Sequence, residues 1–128
     1  MSSHVASLAL SMSVVLMAAG CSDGGQTSPQ VATYTGQPPG LTALAVGDAV
    51  VVDGCVHLEA KDGRLLLPVF PAEPDRDWAD EIGLDGKDDR VAVRLGGGEG
   101  QLSSLNADVP IGCDESAPVW IVGDLTLP

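Results

Sequence analysis

Aromatic side chains are scarce: two Trp, one Tyr and one Phe stand in 128 residues. A core built from this chain must rest on Val, Leu, Ile and Ala, and in a small domain such a core gains from a covalent staple. Basic residues are scarce too, 6 Lys and Arg against 18 Asp and Glu, for a formal net charge of −12. That balance excludes nucleic acid and anionic membrane surfaces as electrostatic partners, because both require basic patches. Histidine occurs only at His4 and His57 and cysteine only at Cys21, Cys55 and Cys113, which leaves little material for metal sites or nucleophilic triads. No apolar run reaches the roughly 20 residues of a membrane-spanning helix, and no stretch carries the period of a long amphipathic helix. The length allows one domain of about 85 to 90 residues and excludes a second.

What is present begins with Val5 to Ala19, an almost wholly apolar or small-residue segment of about 15 residues, the length of a signal-peptide core. It ends in Ala18-Ala19-Gly20-Cys21, which resembles the lipobox of bacterial lipoproteins. The resemblance implies a signal peptide over 1–20, cleavage before Cys21 and acyl chains on the Cys21 thiol. Two or more such chains anchor a protein stably, at about 0.8 kcal/mol per buried methylene. The expected location is then the extracytoplasmic face of a cell membrane. An ordinary secretory signal, cleaved nearby and followed by an unmodified cysteine, is the other reading of the same residues.

Residues 21–40 are dominated by Gly, Ser, Thr, Gln and Pro and predict a lipidated cysteine with a flexible tether, on the order of 25 Å long as a random coil. Tyr34 falls in that tether. Residues 41–128 then carry short apolar runs bounded by turn residues, which predict a mainly β domain. Ala49 to Ala60 alternates, with Val50, Val52, Val56 and Leu58 expected inward, His57 on the wet face and Gly54 at a bulge or sharp bend. Lys61-Asp62-Gly63-Arg64 predicts a hairpin turn into Leu65 to Phe70, a strand apolar enough to be covered on both faces, with Pro68 at an edge or strand end.

Pro71 to Arg90 is a polar excursion with one or two helical turns around Trp78, capped by Asp75 or Asp77. Arg90 to Leu95 predicts a strand with Val91, Val93 and Leu95 inward, Gly96 to Gly100 a break, Gln101 to Asn106 a weak strand and Val119 to Leu127 a strong last one. Five or six short strands point to a small β-barrel, OB-like or SH3-like, between which the pattern does not choose.

Gly54-Cys55-Val56, Leu66-Leu67-Pro68-Val69-Phe70-Pro71, Leu95-Gly96-Gly97-Gly98-Glu99, Gly112-Cys113 and Val119-Trp120-Ile121-Val122-Gly123 together resemble a group of small uncharacterised actinobacterial lipoproteins. The resemblance implies a shared barrel and a shared disulfide, and it carries over no catalytic residue.

Among candidate sites, Cys55 and Cys113 form an even pair in an oxidising compartment and predict a disulfide rather than a redox or metal pair. His57 lies close to Asp53, Cys55 and Glu59, yet it stands alone as a histidine in the mature chain and reads as an exposed strand residue. The acidic run Glu73, Asp75, Asp77, Asp80, Glu81, Asp85, Asp88 and Asp89 has enough oxygen for calcium, but it lacks the alternating loop that converges on one ion. It reads as a solvated loop, and no metal is expected.

Gly96 to Gly100 lacks the third glycine and the Lys-Ser/Thr of a phosphate cradle, and Ser103 and Ser104 have only His57 as a possible base. No catalytic residue and no cofactor are expected. If the domain binds a protein or envelope component, the long loop is the place to look. Trp78, Asp75, Asp77, Asp80 and Glu81 are the candidate contacts there. The expected role is a tethered, non-enzymatic binding module. The rival readings are a hydrolase or calcium-binding domain using residues 73–89, and a purely structural envelope lipoprotein.

Overall fold

The computed structural model describes residues 29–37, 40–84 and 88–127. The signal segment 1–20, Cys21 and the tether residues 22–28 lie outside the described residues, as does Asp85. In chain order the elements are β1 (Ala32–Thr35), β2 (Ala43–Val52), β3 (Cys55–Ala60), β4 (Leu65–Pro71), α1 (Trp78–Ile82), β5 (Arg90–Gly100), a 3-10 turn (Leu102–Ser104), β6 (Asn106–Asp108) and β7 (Val119–Thr126). The fold is mainly β, as the sequence predicts.

All seven strands form one sheet in the order β3-β2-β5-β7-β4-β1-β6, and β3 also pairs with β4. Hydrogen bonding therefore runs in a closed circuit through β3, β2, β5, β7 and β4. The β4/β7 and β1/β4 pairs are parallel, and the other pairs are antiparallel.

The strand count exceeds the expected five or six because β1 and β6 are added outside the circuit. Ala32–Thr35 lies within the stretch expected to be tether. It becomes a strand because Ala32 and Tyr34 alternate onto a buried face and the backbone pairs with both β4 and β6. Too short to show a period among Gly, Thr and Gln, it is held by its neighbours rather than by its own propensity.

Gly54 marks a sharp bend rather than a bulge. Asp53 and Gly54 both have positive φ, 52° and 80°, as the two central residues of a tight hairpin turn of the mirror-image type. The turn resets the alternation. On β2 the side chains of Ala45, Ala49 and Val51 meet the core, whereas on β3 those of Val56 and Leu58 do. Val50, expected inward, is buried, but opposite His57 on the other face rather than with Val56 and Leu58. A change of phase by one residue exchanges faces for a whole strand.

Pro68 sits inside β4, where an edge was expected. Leu67 donates its N–H toward the β7 side, to Pro118, so by strand alternation the Pro68 nitrogen faces the opposite side. There β3 pairs only as far as Leu66 and β1 pairs only from Val69, so the missing N–H falls in the gap between two partners.

Two cores result. The first lies within the circuit and joins Leu58, Leu66, Phe70, Val93, Leu95 and Trp120 to Trp78, Ala79 and Ile82 of α1. The second lies across β4, where Leu67 and Val69 pack with Ala32, Tyr34, Val119 and Ile121 beneath Leu102, Leu105 and Val109. Burial of both faces of β4 follows the expectation from its unbroken apolar run.

β5 runs on through Gly100 instead of breaking at the glycines, and its register shifts between Gly96 and Gly97. The glycines permit close approach. A Cβ on Gly97 would overlap the Ile121 carbonyl oxygen, and one on Gly100 would overlap the Ile121 side chain. The expected strand over Gln101 to Asn106 is instead the 3-10 turn followed by β6.

Candidate functional site

The long loop positions its candidate residues through α1. Asp77 is the N-cap, its carboxylate accepting the Asp80 N–H at 3.1 Å, and Gly83 closes the helix in the left-handed conformation. Trp78 points inward and is 4% exposed, its ring 5.0 Å from that of Phe70 and its indole N–H donating to the Pro71 carbonyl at 2.8 Å. It pins the loop to the core and offers no exposed anchor.

The sequence reading missed Arg76. Its guanidinium lies 3.9 Å over the Trp78 ring, donates to both oxygens of Glu81 at 2.7 and 3.0 Å, and reaches Glu73 at 3.3 Å. The Arg76 hydrogen bond holds the Glu81 carboxyl below the usual carboxylate range. The spacing Glu73-x-x-Arg76-x-x-x-x-Glu81 was the available signal. Asp75, Asp77 and Asp80 are exposed and are not gathered on one point.

Cys55 and Cys113 are joined in a disulfide, with Cα atoms 5.1 Å apart. His57 is fully buried, where an exposed residue was expected. The outer face of β3 is covered by the turn that carries Cys113. His57 Nε2 accepts the backbone N–H of Asp114 at 3.1 Å, so the ring proton sits on Nδ1, which donates to the Cys55 carbonyl at 3.1 Å. Both nitrogens serve the fold, and neither is presented to a serine. Ser104 uses its hydroxyl on the Gln101 carbonyl. In the same turn the Asp114 carboxylate accepts from the Ser116 hydroxyl and N–H, which holds it below its ordinary range.

Another hollow lies beside the glycine run. It is a cleft of about 510 Å3 lined by Leu41, Leu44, Gly96, Gly97, Ile121 and Asp124, among others. Leu41 and Leu44 remain 41% and 58% exposed. Such a volume suits a small-molecule site. A broader hollow of about 720 Å3 lies where Glu73, Arg76 and Trp78 face β1. Of its charged groups, Glu73 and Arg76 are paired with each other.

Comparison with protein-family models, with curated proteins and with solved structures found no match.

Proposed function

We propose that this chain is a membrane-tethered extracytoplasmic lipoprotein whose folded part is a non-enzymatic binding module with an OB-like barrel. The Cys55–Cys113 disulfide carries the reading, because a structural disulfide belongs to an oxidising compartment and agrees with a secreted, lipobox-like N-terminus. The OB-like rather than SH3-like assignment is supported by connectivity. Counting only the circuit, the order around it is first, second, third, fifth, fourth and back to first, with third and fifth parallel and α1 between third and fourth. This order, and the place of α1 in the chain, match the Greek key of an OB barrel.

OB barrels commonly bind oligonucleotides or oligosaccharides on their second and third strands. Here those strands are β3 and β4, and their outer face is covered by β1 and the segment carrying Leu102, Leu105 and Cys113. That face is closed by the protein's own chain, and the net charge of −12 opposes nucleic acid independently. Binding is therefore assigned to the cleft beside the glycine run. The hydrolase and calcium readings of residues 73–89 lose support, since Glu73 and Glu81 are held by Arg76 and Asp77 caps α1.

The test is expression of the full chain in a lipoprotein-processing bacterium fed labelled fatty acid. Wild-type protein should carry label and partition into detergent, and Cys21→Ser protein should do neither. Unlabelled, freely secreted wild-type protein would overturn the anchored reading.

A further inference from the structure

We propose that the cleft beside the glycine run is a site for a small amphiphilic cation, an alkyl body bearing an ammonium group; this rests on the binding reading above and names its ligand class. Register places Leu44 opposite Gly96 and Gly96 opposite Asp124, so three adjacent strands set these residues side by side. Their neighbours Ala45, Leu95 and Leu125 pack on the inner core, so the row Leu44, Gly96, Asp124 faces outward. Glycine at the centre leaves a notch between an exposed leucine and a carboxylate. The Asp124 Cβ and Oδ2 lie 3.3 and 4.0 Å from the point a Gly96 Cβ would occupy, so the carboxylate sits at the lip of that notch. Leu41, lying over Gly98, and Ile121 supply further apolar wall.

Charge decides the ligand. Arg64, Arg76 and Arg90 each hold two carboxylates, whereas Asp124 enters no ion pair among the described residues. Among the described residues no basic side chain lines the cleft, the nearest on this face of β5 being Arg94, two residues before Gly96. An anionic head would be repelled there, and a neutral apolar ligand would leave the exposed Asp124 carboxylate without a counter-charge. A cation on an alkyl chain satisfies both parts, and the chain's net charge of −12 concentrates cations near the surface.

The experiment titrates the full chain carrying Cys21→Ser with octylammonium, octanol and octanoate, following backbone amide resonances. Octylammonium should shift Leu41, Leu44, Gly96, Gly97, Ile121 and Asp124 saturably, with octanoate about tenfold weaker. Asp124→Asn, which keeps the shape, should weaken octylammonium by about three- to fivefold, the scale of an exposed ion pair, and leave octanol unchanged. Cleft shifts of equal affinity for all three probes would overturn the cation assignment and leave the cleft as a binding site. Absence of cleft shifts with every probe would overturn the assignment of binding to the cleft as well.

Discussion

The Tyr34 hydroxyl donates to the main-chain carbonyl of Val122, 2.8 Å away and 88 positions later in the chain. It fastens the first strand to the last at a fully buried point. Tyr34→Phe keeps the ring and removes the donor, so it should cost about 1 kcal/mol, or a melting temperature lower by roughly 4 to 8 °C. Thermal unfolding of the two proteins checks this, and equal melting temperatures would detach β1 from the stability of the domain.

The same hydroxyl sets an alkaline limit. Burial raises the Tyr34 pKa above its ordinary value of 10.0. The folded state therefore holds this proton more tightly than the unfolded state does. The contribution is complete below the ordinary value and is lost as pH rises through the raised folded value. As the sole tyrosine, Tyr34 can be titrated by its phenolate absorbance. The folded protein should ionise at higher pH than the denatured chain, and Tyr34→Phe should show a flatter stability profile above pH about 10.

Trp78 gives a second test, of whether the loop is a binding finger or a plug. Its burial against Phe70 predicts that Trp78→Ala costs about 3 to 5 kcal/mol, a large share of a small domain's stability. Arg76→Gln, which removes only exposed ion pairs and the stack on the ring, should cost less than about 1 kcal/mol. Urea denaturation ranks the two, and a near-neutral Trp78→Ala would return this residue to the surface.

Much of the sheet was legible because hairpins and apolar alternation are local. The Asp62-Gly63 turn, the inward Val93 and Leu95, and the doubly covered β4 all follow from neighbouring residues. What escaped was decided at a distance. Gly54 reads as a bulge or sharp bend until the partner register is known, and carrying one alternation through it from Ala49 to Ala60 put β2 out of phase. His57 looks wet beside Asp53 and Glu59 until the turn around Cys113 closes over it. The glycines of β5 look like a break because nothing local reveals that the Ile121 backbone passes where a Cβ would stand. The cleft was hidden for the same reason, since the row Leu44, Gly96, Asp124 exists only through register.

The glycine run supports a graded prediction. Gly97 has φ +152°, and a Cβ there would overlap the Ile121 carbonyl oxygen, backbone that cannot turn aside. Gly97→Ala should therefore force β5 from β7 and cost about 2 to 4 kcal/mol. Gly96→Ala places its Cβ 3.3 Å from the Asp124 side chain, which can yield by a few tenths of an ångström. It should stay within about 1 kcal/mol of wild type. Equal costs at the two positions would show that strand propensity, not close approach, governs this stretch.

The turn around Cys113 is fastened twice, by the disulfide to Cys55 and by the Asp114 N–H bonded to His57 Nε2. The disulfide spans 58 positions, and by chain entropy contributes about 4 kcal/mol before any native strain is subtracted. Reduction, or replacement of both cysteines by alanine, should lower the melting temperature by on the order of 20 °C. His57→Leu removes the acceptor at a buried point and should cost about 1 to 3 kcal/mol while the disulfide is intact. Once the disulfide is gone, the turn is free to leave β3, and the Asp114 N–H then finds water. The His57→Leu cost should consequently shrink in the cysteine-free protein, giving a coupling of about 0.5 to 2 kcal/mol in a double-mutant cycle read by urea denaturation. Strict additivity of the two changes would mean that the disulfide and the His57 contact secure the turn independently.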